Sequence, residues 1–147
     1  MRVIEEAPVE ATYDLRKRIL RDDTPSDDVT FVQDARPDTF HLVARDEDGR
    51  LVGAATFFPS ATPWREGRPA IQLRGMAVDA DRQGEGVGRR LVEAGMARAR
   101  ELGAVAMWAN ARDSALPFYR RLGFEVVGDG FMTSDTQLPH HVIVRDL

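Results

Sequence analysis

The sequence predicts a mixed α/β fold, with an antiparallel first half and a strand-helix-strand-helix-strand middle. Three observations carry that class. Apolar runs at residues 40–45 and 51–58 flank Asp48-Gly49, a strong hairpin signal. Residues 88–102 place Leu91, Val92, Gly95, Met96, Ala99 and Leu102 at helical spacing. Residues 104–109 are almost wholly apolar, as befits a parallel strand covered on both faces.

The elements follow in order. Residues 3–5 read as a short first strand. Residues 12–20 read as a helix, because Leu15, Ile19 and Leu20 fall near one face. Residues 21–37 are polar, carry Pro25 and several aspartates, and read as a loop or a weak helical turn. After the hairpin, Pro59, Pro63, Gly67 and Pro69 mark another loop. In the strand at 71–78, Ile71 and Leu73 alternate in one phase, and Met76 and Val78 in the other. A one-residue slip at Gly75 is either a β-bulge or a tolerated glycine in an irregular strand. Gly103 stands where a helix-stopping glycine belongs. Asp113 or Ser114 is positioned to cap a helix running to Leu122, with Pro117 in its first turn and Gly123 ending it. Residues 124–127 and 142–145 are the last strands.

Composition excludes several classes. With 147 residues, 43% hydrophobic and 30% charged, the chain reads as one globular domain over 1–147. No stretch approaches the roughly 18 apolar residues of a membrane helix. The amino terminus turns acidic at Glu5-Glu6 without a secretory apolar segment, so the cytoplasm is the expected compartment. The absence of cysteine removes thiolate nucleophiles and cysteine-zinc sites, and three histidines make a His-rich metal site unexpected. A net charge of −4 disfavours nucleic acid as partner.

The chemistry concentrates in Gln83-Gly84-Glu85-Gly86-Val87-Gly88, between a strand and a helix. Alternating glycines bare the backbone amides, and the helix that follows adds its positive end, an arrangement suited to a pyrophosphate. No Gly-Lys-Ser/Thr follows, and the third glycine comes one residue early for a dinucleotide fingerprint. A ligand-free turn explains the same residues.

Context extends the reading. The run from Met76 to Gly88, with Gln83, Gly86 and Gly88, resembles motif A of the GNAT superfamily of acyl-CoA-dependent N-acetyltransferases: Gln/Arg-x-x-Gly-x-Gly/Ala after an apolar strand. Ala115-Leu116-Pro117-Phe118-Tyr119-Arg120-Arg121-Leu122-Gly123-Phe124 resembles the family's motif B, Ala-x-x-Phe-Tyr-x-x-x-Gly-Phe. The resemblance implies acetyl-CoA as co-substrate, no metal, and an amine acceptor, a small molecule in preference to a peptide. By position, backbone amides of Gln83, Gly84, Glu85, Gly86, Val87 and Gly88 would hold the pyrophosphate. The strand residues Met76, Ala77 and Val78 would bond the pantetheine arm, in a slot that the bulge opens by splaying this strand from the next. A free N–H near Ala77 or Val78 would polarise the thioester carbonyl. Tyr119 would protonate the departing thiolate, and without cysteine the amine would attack directly.

One position departs from the pattern. Where many members carry asparagine, three residues before the motif B alanine, this chain has Arg112, which either reaches a CoA phosphate or is solvated. Asn110 either bonds the pantetheine amides or forms a turn. The base is not identifiable. Arg74 either binds an acceptor carboxylate or phosphate or lies on the outer surface. His140 and His141 follow Pro139; one of them either relays a proton at the acceptor site or both face solvent. A non-catalytic acyl-CoA sensor, another phosphate-binding module and an interaction domain are the rival readings. The acidic surface mildly favours a cationic acceptor. Homodimers are frequent among proteins that look like this.

Overall fold

The structure, a computed structural model, describes residues 3–147. Its strands are β1 (Val3–Ala7), β2 (Phe40–Arg45), β3 (Leu51–Pro59), β4 (Ala70–Val78), β5 (Ala106–Arg112), β6 (Glu125–Met132) and β7 (Pro139–Asp146). They form one sheet in the order β1-β2-β3-β4-β5-β7-β6. Every neighbouring pair is antiparallel except β4 and β5, which are parallel. That pair needs a crossover, and helix α2 (Val87–Glu101) supplies it. The mixed α/β class read from the sequence is the class observed.

The main core lies between the sheet and α2. Phe57, Ile71, Leu73, Leu91, Val92, Met96 and Met107 are buried there, with α3 (Leu116–Arg121) closing one end. On the opposite face, Leu15, Val43, Ala54 and Ala77 form a smaller cluster under the amino-terminal helical segment. Among the described residues, no helix is long and apolar enough to cross a membrane.

Several boundaries differ from expectation, each for a local reason. The helix expected at 12–20 starts as a tight turn at Val9–Thr12, passes through α1 (Tyr13–Leu15) and ends in a wide π turn at Arg16–Leu20. That turn places Arg16, only 1% exposed, beneath the sheet. β5 starts two residues late because the Ala104 N–H closes the end of α2, bonding Ala99 O at 3.0 Å. It then extends to Arg112 because pairing with β7 continues to His140. β6 and β7 are longer than expected, joined across an irregularity between Val127 and Phe131. Neither Asp113 nor Ser114 caps α3; the Asp113 carboxylate instead faces His141 Nδ1 at 2.7 Å.

The irregular strand is a bulge. Thr56 pairs with Arg74 and Ala54 with Ala77, so Ala55 alone faces both Gly75 and Met76. Gly75 has φ +71°, a left-handed conformation that the bulge requires and glycine adopts at little cost. β4 and β5 pair from Ala70–Ala106 to Leu73–Ala109 and no further. Beyond that rung the sheet is split.

Candidate active site

The glycine loop leaves β4 through a short turn at Ala80–Arg82. Gly84 and Gly86 both have φ +84°, and a Cβ at either would meet nothing within 4 Å. Gly86 is the N-cap of α2; no side chain caps that first turn, and no acid lies in it. The first amides of α2 therefore lack intrahelical partners and meet an open surface at the positive end of the helix. Gly88 behaves differently from the other two. A Cβ there would lie 3.1 Å from the Phe118 ring, so this glycine serves the packing of α2 on α3. Val87 is likewise core, 1% exposed. Glu85 is exposed.

Gln83 Nε2 donates to Val78 O at 3.2 Å. The Asp79 N–H donates back to Val52 O at 2.8 Å. Across that planar peptide the Val78 carbonyl points away from β3, and the Val78 N–H shares its edge. Met76, two residues earlier, presents the same edge. Ala77 turns its backbone towards β3 and its side chain into the smaller core. The free N–H expected near Ala77 or Val78 is that of Val78.

A cleft of about 520 Å³ runs through the split. Met76, Phe118 and Tyr119 line it on the α3 side. Gln72, Arg74, Trp108, Asn110, Arg112 and His140 line it from strand positions of the other parity, on the opposite face. The two sides meet just past the Leu73–Ala109 rung. A second groove of about 820 Å³ lies beside the glycine loop, lined by Gly84, Gly86, Arg89, Phe118, Arg121 and Arg145 among others.

Tyr119 is buried between Phe118 and Phe124, each packed edge-on at 4.9 and 5.5 Å between centroids. Gly123 ends α3 and returns the chain so that the Phe124 N–H bonds Tyr119 O at 3.1 Å. Burial pushes the Tyr119 phenol well above its usual range, so it stays protonated at neutral pH.

The far side of the cleft is basic. Arg74 is half-buried rather than on the outer surface. Its guanidinium lies 4.0 Å from the Phe31 ring centroid and donates to Gln33 Oε1 at 3.0 Å. Arg16 stacks on the same ring at 3.9 Å. Arg112 is half-buried, and its Nη2 donates to Leu20 O at 2.5 Å, away from the glycine loop. Arg21 pairs with Asp135 at 3.2 Å. His140 is buried, not solvent-facing, and stacks on Phe131. Its Nδ1 is 2.8 Å from Leu138 O; a carbonyl only accepts, so Nδ1 carries a proton in this contact and Nε2 is the ring's other nitrogen.

Arg21, Phe31, Gln33 and Asp135 line the cleft but carried no signal as site residues in the sequence. No cluster of metal ligands occurs among the described residues.

The model of the Acetyltransferase (GNAT) family matches residues 9–124. An uncharacterized N-acetyltransferase of Bacillus subtilis, YitI, is 31% identical over 128 residues, covering 87% of this chain and 85% of that protein. Among solved structures, Escherichia coli ElaA superposes with a TM-score of 0.78 at 19% identity, covering 99% of both chains. An aminoglycoside 6'-N-acetyltransferase complexed with coenzyme A superposes with a TM-score of 0.74 at 15% identity, covering 98% of this chain and 96% of that one.

Proposed function

Since this chain belongs to the GNAT acetyltransferase family, we propose that it moves an acetyl group from acetyl-CoA to the primary amine of a small molecule. The observation that carries this reading is the split beside the bulge, joined at one end to an uncapped, glycine-bared helix start. Those features fit a long ligand that is anionic at one end and amide-rich along its arm. Amides of the loop from Gln83 to Val87 would hold the pyrophosphate. The exposed edge of Met76 and Val78 would bond the arm as a strand would, with Asn110 facing it from β5.

Acetyl-CoA supplies a thioester that an unprotonated amine attacks directly. The chain's residues act around that bond. The Val78 N–H is a preorganised donor for charge that develops on an oxygen in the split. The Tyr119 hydroxyl is the proton donor to the departing sulfur. A phenol of raised pKa is a weak donor to a solvated thiolate, but a thiolate in the same buried cleft has its own proton affinity raised by desolvation. His140 Nε2 would accept the proton that the amine sheds.

The test is thermal unfolding with acetyl-CoA, ATP or NAD, followed by release of free thiol on adding amines. Ligand at about 100 times its Kd adds roughly 2.7 kcal/mol, several degrees for a domain of this size. A shift with acetyl-CoA alone is the expected result. No shift at millimolar acetyl-CoA would overturn the reading.

A further inference from the structure

The acceptor side of the cleft has a charge the whole chain lacks. The chain carries a net −4. Yet the permanently charged side chains lining the cleft are Arg21, Arg74 and Arg112 against a single carboxylate, Asp135. That carboxylate is already paired with Arg21. No acid in the cleft is left to hold a second ammonium, which argues against diamines and polyamines.

The three arginines are not equivalent. Arg112 is tied to Leu20 O. Arg21 is spent on Asp135, Asp28 O and Leu20 O. Arg74 makes one hydrogen bond, to the neutral Gln33, and no ion pair among the described residues. Its guanidinium carbon lies over the Phe31 ring, 4.0 Å from the centroid. Arg74 sits one residue past the last β4–β5 rung and one before the bulge, at the mouth of the split. A half-buried guanidinium bonded to no anion is costly: burial, joined by Arg21 and Arg16, pushes Arg74 below its usual range against the opposing pull of Asp135 and Asp34, neither of which bonds it. An anion relieves that cost, and the planar fork matches a carboxylate in a two-bond contact.

We propose that the acceptor is a small amine bearing a carboxylate, as a free amino acid does, and that Arg74 binds this anion so that the amine lies in the split. This inference rests on the acetyltransferase reading and selects among its acceptors. A phosphate or phosphonate on the same amine would meet the same fork, so the test separates the two anions.

The experiment measures thiol release from acetyl-CoA with the standard α-amino acids, their carboxamides, aminoalkylphosphonates of one to three carbons, and spermidine. The expected result is turnover of at least one amino acid with kcat/KM ten-fold or more above its carboxamide. Arg74→Gln should lower that kcat/KM by about 10- to 100-fold, mostly through KM, with the thermal shift on acetyl-CoA kept. Arg74→Lys keeps the charge without the fork and should fall between, which covers the case in which the glutamine variant does not fold. A better phosphonate than carboxylate acceptor would overturn the carboxylate assignment and leave the anion site. Spermidine or carboxamides performing as well as amino acids would overturn the proposal. So would an Arg74→Gln variant with unchanged preference, or no turnover of any anionic amine by protein that shifts with acetyl-CoA. Absence of that shift in the wild type would instead fail the acetyltransferase reading itself.

Discussion

Asp34→Asn tests how the loop beneath the acceptor side is held. Asp34 accepts from Arg16 Nη1 at 2.8 Å, from Arg16 Nη2 at 3.1 Å and from the Phe31 N–H at 2.9 Å. The side chains of the pair are 1% and 9% exposed. Asparagine matches the shape but offers one acceptor oxygen and one amino group. Whichever way it turns, an N–H faces an N–H or N–H donors lose their acceptor. Arg16 is left as an uncompensated buried cation whose Nε already lacks a partner. Removing one member of a buried pair costs about 3–5 kcal/mol. Arg16 keeps its bonds to Val29 O and Thr56 Oγ1, so the low end, about 3 kcal/mol, is expected. That is a large share of the roughly 5–15 kcal/mol that holds a domain together, and a fall of about 6–12 °C in Tm. Urea unfolding followed by far-ultraviolet circular dichroism should show a lower midpoint at unchanged slope. A loss below about 1 kcal/mol would refute the reasoning, because it would mean that the pair is solvated and does not anchor Phe31 and Gln33.

Three further outcomes are expected. Tyr119→Phe keeps the ring between Phe118 and Phe124, so Tm should move by no more than about 2 °C while kcat falls about 100-fold; an unchanged kcat would remove Tyr119 from the chemistry. Gly86→Ala places a side chain at φ +84°, costing about 1–2 kcal/mol, and should weaken acetyl-CoA binding, measured by calorimetry, more than ten-fold by moving the loop amides; equal affinity would make the loop a simple turn. Stability should fall in two stages on acidification. Burial holds the His41 imidazole below its usual range, so the unfolded chain takes up that proton first and stability drops below about pH 6.5. Burial alone would raise Asp34, but the Arg16 and Phe31 bonds outweigh it and hold it low. Its contribution is therefore present above about pH 4 and is lost as pH falls through the depressed value. Urea midpoints across pH 3–8 should show both stages in the wild type, and the lower stage should be smaller in Asp34→Asn, with the remainder carried by Asp28, Asp38, Asp79 and Asp146, which are also held low.

Elements with long repeats of pattern were legible in the sequence. The stripe from Leu91 to Leu102 gave α2 within a residue or two, and Asp48-Gly49 gave the β2–β3 hairpin. The phase slip at Gly75 located the bulge because a bulge changes side-chain parity and parity is written in the residues. The acceptor side was not legible, since its lining comes from segments distant in sequence. Arg21 and Asp135 are 114 residues apart and meet only through the sheet. Arg74 was a candidate by type, but whether it faced outward or into the cleft depended on what covers that face. Net charge mildly favours a cationic acceptor but says little about one pocket, because a total does not report the sign inside one cavity. The π turn that buries Arg16 left no mark either, as its apolar spacing is close to that of an ordinary helix.

The sheet behaves as a partition with a gap at its centre. The glycine loop and its groove lie on the α2 and α3 side, and Arg74, Arg112 and His140 lie on the other. If donor and acceptor each keep to their own side, neither has to leave for the other to arrive. Both can be seated at once, the order of arrival is free, and each product retreats by the door its parent used. Steady-state rates varied in both concentrations should then give intersecting double-reciprocal lines, and spent donor should compete with fresh donor but not with the amine.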